Sequence, residues 1–244
     1  MAAFADTLTE TITALGAEVI EPGDERPDMV LGVGGDGTML VAARFALHDD
    51  VPVLGFHLGT LGFLTEAEPA DVKRVVSRLV EGDYRVEERM TVEAIVGGRR
   101  EVGLNDVVIE KVDTTRLISL DVVIDGTQLT TQRADGLIVA TPTGSTAYSF
   151  SAGGPLLDPV LQSLVITPVA AHSVFDRSIV VPGTSLIEVT VNQDRIVRVN
   201  VDKEGLGQLG EGGKVDIRSG ERPSRFVTLD DRSFPALIRD KFGL

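Results

Sequence analysis

The chain has no cysteine, which excludes disulfides and thiolate metal sites. It has no apolar run long enough to span a bilayer. Its N-terminus lacks the basic stretch and hydrophobic core of a signal peptide. No membrane partner is expected, and the cytoplasm is the expected location. Basic residues are scarce: 23 Lys and Arg stand against 37 Asp and Glu, a formal net charge of −14. Nucleic acid needs a basic face and is not an expected partner. No internal repeat or low-complexity segment stands out. What remains is 244 residues that are 43% hydrophobic, enough for one large domain or two small ones. The acid excess reads as a solvated surface. It also constrains any phosphorylated ligand, which would have to be held by backbone dipoles, a few placed cations and a divalent metal.

Gly34-Gly35-Asp36-Gly37 follows the apolar run Met29–Val33 and precedes the helix-compatible Thr38–Arg44. Strand, glycines and helix start together make a loop whose bare N–H groups can approach a phosphate, helped by the helix dipole. An acid in such a loop repels the ligand unless it has a task, such as holding a metal or accepting a proton from an attacking hydroxyl. The run is neither G-x-G-x-x-G nor a Walker A loop. The plainer reading is a tight turn with Asp36 as a helix cap.

The chain divides by pattern. Phe4, Leu8, Ile12 and Leu15 recur at near-helical spacing. Strands are expected at 16–20, 28–33 and 51–55, and helices at 38–48 and 69–81, so the first part reads as α/β with a parallel sheet. From about Val86, strand-like runs succeed one another without helices: 92–96, 106–110, 117–124, 137–140, 164–167, 178–181, 186–191, 196–201, 215–217 and 226–229. Asp125-Gly126 is a hairpin signal. This second part reads as an all-β, sandwich-like domain. Residues 233–242 close the chain as a helix. The expected domains are 1–88 together with 232–244, the C-terminal helix returning to the first domain, and 89–231.

Two more segments carry chemistry. A strand at 137–140 runs into Thr141–Tyr148, rich in hydroxyls, and then Gly153-Gly154-Pro155. Such a run suits a polar ligand with ribose and amide groups, or is a Ser/Thr-rich loop. Asn105-Asp106 enters the run 106–110. An Asn amide can read an adenine edge and a carboxylate can accept from a ribose hydroxyl, the alternative being an Asx turn at a strand entry.

Together these pieces resemble the NAD kinase family. The matching residues are 34–38, Leu58-Gly59-Thr60-Leu61-Gly62-Phe63-Leu64, Leu104–Val107, Asp135–Pro155 and the tail Leu237–Gly243, in family order over nearly the whole chain. The loop alone is shared with diacylglycerol and related lipid kinases. The resemblance implies phosphoryl transfer from ATP, or polyphosphate, to the adenosine ribose 2′-hydroxyl of NAD. It implies Asp36 as general base, with Gly34, Gly35, Gly37 and Thr38 in the phosphate loop. It implies Asn105 and Asp106 on adenine and ribose, and Thr146, Ala147, Tyr148 and Ser151 around the adenosine and nicotinamide ends. Asp135 is implied on the nicotinamide side, Ala170 among the NAD-binding residues, Phe63 as an apolar wall, and Arg116 and Arg133 facing phosphate. Mg²⁺ is expected to arrive with ATP, without a dedicated protein site. A homodimer or homotetramer is expected through the β-rich domain, with Arg133 and Asp135 crossing to a neighbour's site.

Three departures from the family pattern stand out. His57 replaces the usual Asn in Gly55-Phe56-His57-Leu58-Gly59, where it either takes over the Asn's local hydrogen bonds or, the favoured reading, is a packed neutral histidine. Asp106 stands where Glu is usual. The family's opening strand has no counterpart before the first helix. The alternatives are a lipid or sphingoid-base kinase, which would need no Asn105-Asp106 pair, and a non-catalytic NAD(P) sensor, which would need no Asp36.

Overall fold

The computed structural model describes residues 2–21, 25–59, 61–173, 175–230 and 233–244. Thr60 and the expected boundary residues Asp231 and Arg232 lie outside them. The chain opens with α1 (Ala2–Ala14), β1 (Val30–Val33), α2 (Asp36–Asp49), β2 (Val53–Phe56), α3 (Val72–Glu81) and β3 (Arg85–Arg89). Strands β4 (Val92–Val96), β5 (Arg99–Gly103), β6 (Asp106–Lys111), β7 (Ile118–Ile124), β8 (Thr127–Ala134) and β9 (Gly136–Ala140) follow. The short helix α4 (Tyr148–Ser151) precedes β10 (Ser163–Val169), β11 (Ile179–Pro182) and β12 (Ile187–Val191). Then come β13 (Val197–Val201), β14 (Glu204–Leu209), β15 (Lys214–Ser219), β16 (Ser224–Thr228) and α5 (Phe234–Phe242).

Residues 1–89 and 224–244 form one compact unit and 90–223 another. In the first, the sheet order is β1-β2-β16-β3. It is parallel over β1, β2 and β16, and β3 adds antiparallel. Two sequence expectations change here. Residues 16–20 form no strand: Gly16 ends α1 at φ 85°, and the short apolar stretch that follows leaves Val19 exposed and unladdered. The run at 226–229 was expected in the β-rich domain, yet β16 completes the first unit's sheet.

Helix α2 sits closely on that sheet because of two glycines. Gly32 and Gly55 are register partners in β1 and β2. A Cβ on either would lie 2.5 or 2.6 Å from the Met39 sulfur, and Met39 is fully buried. Gly55 also faces the Leu64 carbonyl, 3.0 Å from such a Cβ. Gly55→Ala is therefore expected to destabilise the protein by about 1–3 kcal/mol, as overpacking does. Urea unfolding checks this, and an unchanged midpoint would refute the close-packing account.

The second unit is a sandwich of two six-stranded sheets, ordered β11-β10-β9-β6-β13-β14 and β5-β4-β15-β12-β7-β8. Alternate residues of the inner strands face the shared core, as in Val92/Ala94/Val96, Ile118/Leu120/Val122 and Val197/Val199/Val201. The first of these sheets is buried on its other face as well. There Val108, Ile138, Ala140 and Val165 pack with Leu157, which arrives from the segment after β9. Burial on both faces explains why β9 reads as an unbroken apolar run.

Candidate active site

In the first unit, Asp36 opens α2 and Gly35 is the N-cap. The first N–H groups of a helix have no intrahelical acceptor, so those of Asp36 and Gly37 face outward at the positive end of the dipole. Gly35 and Gly37 are exposed, and a Cβ on either would meet nothing within 4 Å. Gly34 is different. It has φ 154°, and a Cβ there would lie 2.4 Å from the Thr38 hydroxyl. Thr38 thus packs over Gly34, and the loop is closed behind and open in front.

The Asp36 carboxylate is held on both oxygens. Oδ2 accepts from the Phe63 N–H and Oδ1 from the Leu64 N–H, each at 3.0 Å. Gly62 lies beneath it, where a Cβ would be 2.1 Å from Oδ1. The Gly62 N–H donates to the Thr65 hydroxyl at 3.0 Å. The two glycine-bearing segments, 34–38 and 61–65, therefore meet at one carboxylate. Lone pairs on each of its oxygens remain for an incoming hydroxyl.

Phe63 is half-buried. Its ring lies 6.2 Å from that of Phe242 and 5.4 Å from the Lys241 ammonium, which donates to the Leu61 carbonyl at 2.6 Å. Helix α5 thus returns to the loop that holds Asp36. His57 is buried, and its Nδ1 donates to the Gly59 carbonyl at 2.8 Å. Both readings of His57 therefore hold, since it is packed and also bonded to the loop.

In the second unit, Asn105 and Asp106 lie against the start of the segment after β9. The Thr141 N–H donates to the Asn105 carbonyl at 2.8 Å, and its hydroxyl to the Leu104 carbonyl at 2.6 Å. A Cβ on Gly144 would fall 2.0 Å from the Asn105 oxygen, so only glycine fits there. The hydroxyls of this segment differ in burial, and that of Thr143 is buried without a hydrogen-bond partner among the described residues. Thr141, Ser145 and Ser149 are buried and bond inward, Ser145 to Pro142 and Leu157, Ser149 to Thr167. Thr146 and Ala147 are half-buried, and Tyr148 and Ser151 are exposed.

Asp106 is buried beside Asp202. Burial first, and the Asp202 carboxylate second, push its carboxyl up from the ordinary range to about 7, while the Lys203 ammonium opposes them. Asp202 was not singled out in the sequence. Its carboxylate accepts the N–H groups of Leu104 (2.5 Å), Asn105 (2.8 Å) and Asp106 (3.1 Å). Gly103 leaves room for it, since a Cβ would lie 2.9 Å away. The available signal was the turn-like Asp202-Lys203 between two strand runs.

The remaining expected residues gather elsewhere. Asp135 pairs with Lys111. The Asp135 N–H donates to Val169 at 2.9 Å and the His172 N–H to Arg133 at 2.7 Å. Ala170, between them, sits at φ 47°, a conformation rare for a residue with a side chain. Arg133 and Arg116 are exposed, and Arg116 follows the same end of β6 as Lys111. Asp106 pairs with Ala140, and Glu110 with Gly136. Asn105-Asp106 and Asp135 thus occupy opposite ends of the β6–β9 pair, about 17 Å apart at ~3.4 Å per residue.

Among the described residues no group of three or more His, Cys, Asp or Glu could hold a metal ion, and no helix is long and apolar enough to cross a membrane.

A family model of the ATP-NAD kinase N-terminal domain matches residues 6–84, and one of the ATP-NAD kinase C-terminal domain matches residues 104–229. An NAD kinase of Moorella thermoacetica is 42% identical over 217 residues, covering 87% of this chain and 70% of that one. An NAD kinase of Pseudomonas fluorescens is 37% identical over 247 residues, covering 98% and 83%. Among solved structures, yeast NADH kinase complexed with NADH matches with a TM-score of 0.82 at 29% identity, over 90% of this chain and 67% of that one. An NAD kinase from Archaeoglobus fulgidus in complex with ATP matches with a TM-score of 0.82 at 27% identity, over 97% and 94%.

Proposed function

The chain belongs to the NAD kinase family, and from that premise we propose how its residues phosphorylate NAD to NADP. Asp36 accepts the proton of the adenosine ribose 2′-hydroxyl as that oxygen attacks the γ-phosphorus of ATP. The new O–P bond forms as the bond to ADP breaks, and ADP leaves with the electron pair. A carboxylate is a weak base for an alcohol, so positioning supplies most of the rate. The observation that carries this reading is the Asp36 carboxylate, fixed by two backbone amides beside the open N-terminus of α2.

The N–H groups of Asp36 and Gly37 suit the phosphates, while those of Gly34 and Thr38 donate to the Phe56 and Gly35 carbonyls. Asn105 and Asp106 suit the adenine and ribose, with Thr146, Ala147, Tyr148 and Ser151 in the same unit, and Phe63 suits an apolar contact with NAD. A divalent metal, when it arrives with the nucleotide, spreads the charge of the transferring phosphoryl group. Polyphosphate as an alternative donor and the cytoplasm as the location belong to the same proposal. The test is turnover of NAD with Mg²⁺ and a panel of ATP, other triphosphates and polyphosphate. NADP should appear with at least one donor, and its absence with all of them would refute the reading.

The acceptor site draws on a second subunit. Supporting this, Arg133, Asp135 and Ala170 lie at the far end of the strand pair from Asp106. Strands β8 and β11 also end their sheets, as edges a neighbour could cover. In a dimer built this way, Asp36→Asn and Asp135→Asn proteins are each inactive. After subunit exchange at equal amounts, half the dimers are mixed and each regains one intact site of two. Activity should return to about a quarter of wild type. A coupled NADP assay reads this, and no recovery after confirmed exchange would place every site within one chain.

A further inference from the structure

We propose that Lys203 is a substrate-binding residue whose ammonium takes a phosphate of the dinucleotide whose ribose is held at Asp106. The inference rests on the reading above and adds to it a residue with no assigned task.

Asp202 and Lys203 are the two residues of the β13–β14 hairpin turn, at φ 46° and φ 75°. Turns of this kind favour Asn-Gly or Asp-Gly, because glycine alone adopts the second conformation without strain. Asp202 is explained by the three amides it accepts. Lys203 has no comparable role in the fold. Its side chain is exposed, and no hydrogen bond or ion pair engages its ammonium among the described residues. A lysine in a glycine conformation, supported by no packing, is strain of the sort that gathers at ligand sites.

Its placement indicates the ligand. The turn is bonded directly to the acceptor-binding segment: the Asp202 carboxylate holds the amides of 104–106, and the Asp202 N–H donates to the Asp106 carbonyl at 3.1 Å. The Lys203 ammonium is close enough to act on the Asp106 carboxylate. A dinucleotide there brings phosphates toward two neighbouring carboxylates, Asp106 and Asp202, on a chain of net charge −14. One adjacent point charge offsets that repulsion, and a lysine is suited to it.

The experiment is calorimetric binding of NAD, ATP and adenosine, each alone, to the full chain and to Lys203→Gly and Lys203→Arg, with thermal unfolding of the unliganded proteins. Lys203→Gly should bind NAD roughly tenfold more weakly and adenosine within about twofold of wild type, since adenosine carries no phosphate. Its unfolding midpoint should rise by a few degrees as the strained turn relaxes. Lys203→Arg, which keeps the charge, should retain NAD affinity within about threefold. Equal weakening of NAD and adenosine, unchanged NAD affinity, a loss confined to ATP, or a lowered midpoint would each overturn the proposal. Wild-type protein that binds no NAD would overturn the reading beneath it instead.

Discussion

Asp36→Asn is expected to lower kcat by a factor on the order of 10²–10⁴, the range for loss of a positioned general base. The fold should survive, but not untouched. The carboxylate accepts from both Phe63 and Leu64. An Asn side chain can accept only through its carbonyl, so one amide would face an NH₂ group and lose its acceptor. That costs about 1–3 kcal/mol if the amide stays buried. The chemical and positional effects can be separated at Gly62. A Cβ there would meet Asp36 Oδ1 at 2.1 Å. Gly62→Ala keeps the base but displaces it, and a misplacement near 1 Å can cost about 10²-fold. Both variants should bind NAD nearly as wild type does. Near-normal kcat for Asp36→Asn would remove Asp36 from the mechanism, and near-normal kcat for Gly62→Ala would remove the amide-held geometry.

The contrast between Asp36 and Asp202 shows what a sequence displays and what it hides. Asp36 stood out because an acid among glycines conflicts with local expectation. Asp202 conflicts with nothing. An Asp in a hairpin turn is ordinary, and its task is visible only once β6 lies beside it. The strands divide in the same way. Runs such as Val92–Val96 and Ile187–Val191 face the core on alternate residues and are legible as apolar patterns. β3, β5, β8 and β14 were missed as complete strands. Each ends its sheet, and Arg85–Arg89 or Thr127–Ala134 carries too much polar surface to show the pattern. Strand β16 was found but placed with its sequence neighbours, since nothing local says that its partners are β2 and β3. In the segment after β9, composition flagged every hydroxyl equally. Only burial separates Ser145 and Ser149, which hold the loop together, from Tyr148 and Ser151, which do not.

Asp106→Asn is expected to stabilise the unliganded protein at pH 8 while weakening NAD binding. The folded-state carboxyl sits near 7, raised from an ordinary 3.8 by burial and by Asp202. It is an acid whose folded pKa exceeds its unfolded one. Between about pH 4 and 7, therefore, the native state keeps a proton that the unfolded chain has lost, and stability falls as pH rises through that window. The full loss is about 4 kcal/mol, at roughly 1.4 kcal/mol per unit over some three units. It is complete above about pH 7. Asn carries no titrating proton, so the variant should gain up to about 4 kcal/mol over wild type at pH 8 and little at pH 4. Urea unfolding at the two pH values measures the difference. The charge that destabilises the empty site is the one a ribose needs, because an ionised carboxylate accepts from two hydroxyls without donating. The variant's NAD affinity should fall roughly tenfold or more, with ATP affinity little changed. Wild-type NAD affinity should also weaken as pH drops below about 7, and the variant's should not. Equal stability of the two proteins at pH 4 and pH 8 would show that Asp106 is not buried as a charge, and equal losses for NAD and ATP would remove it from the acceptor site.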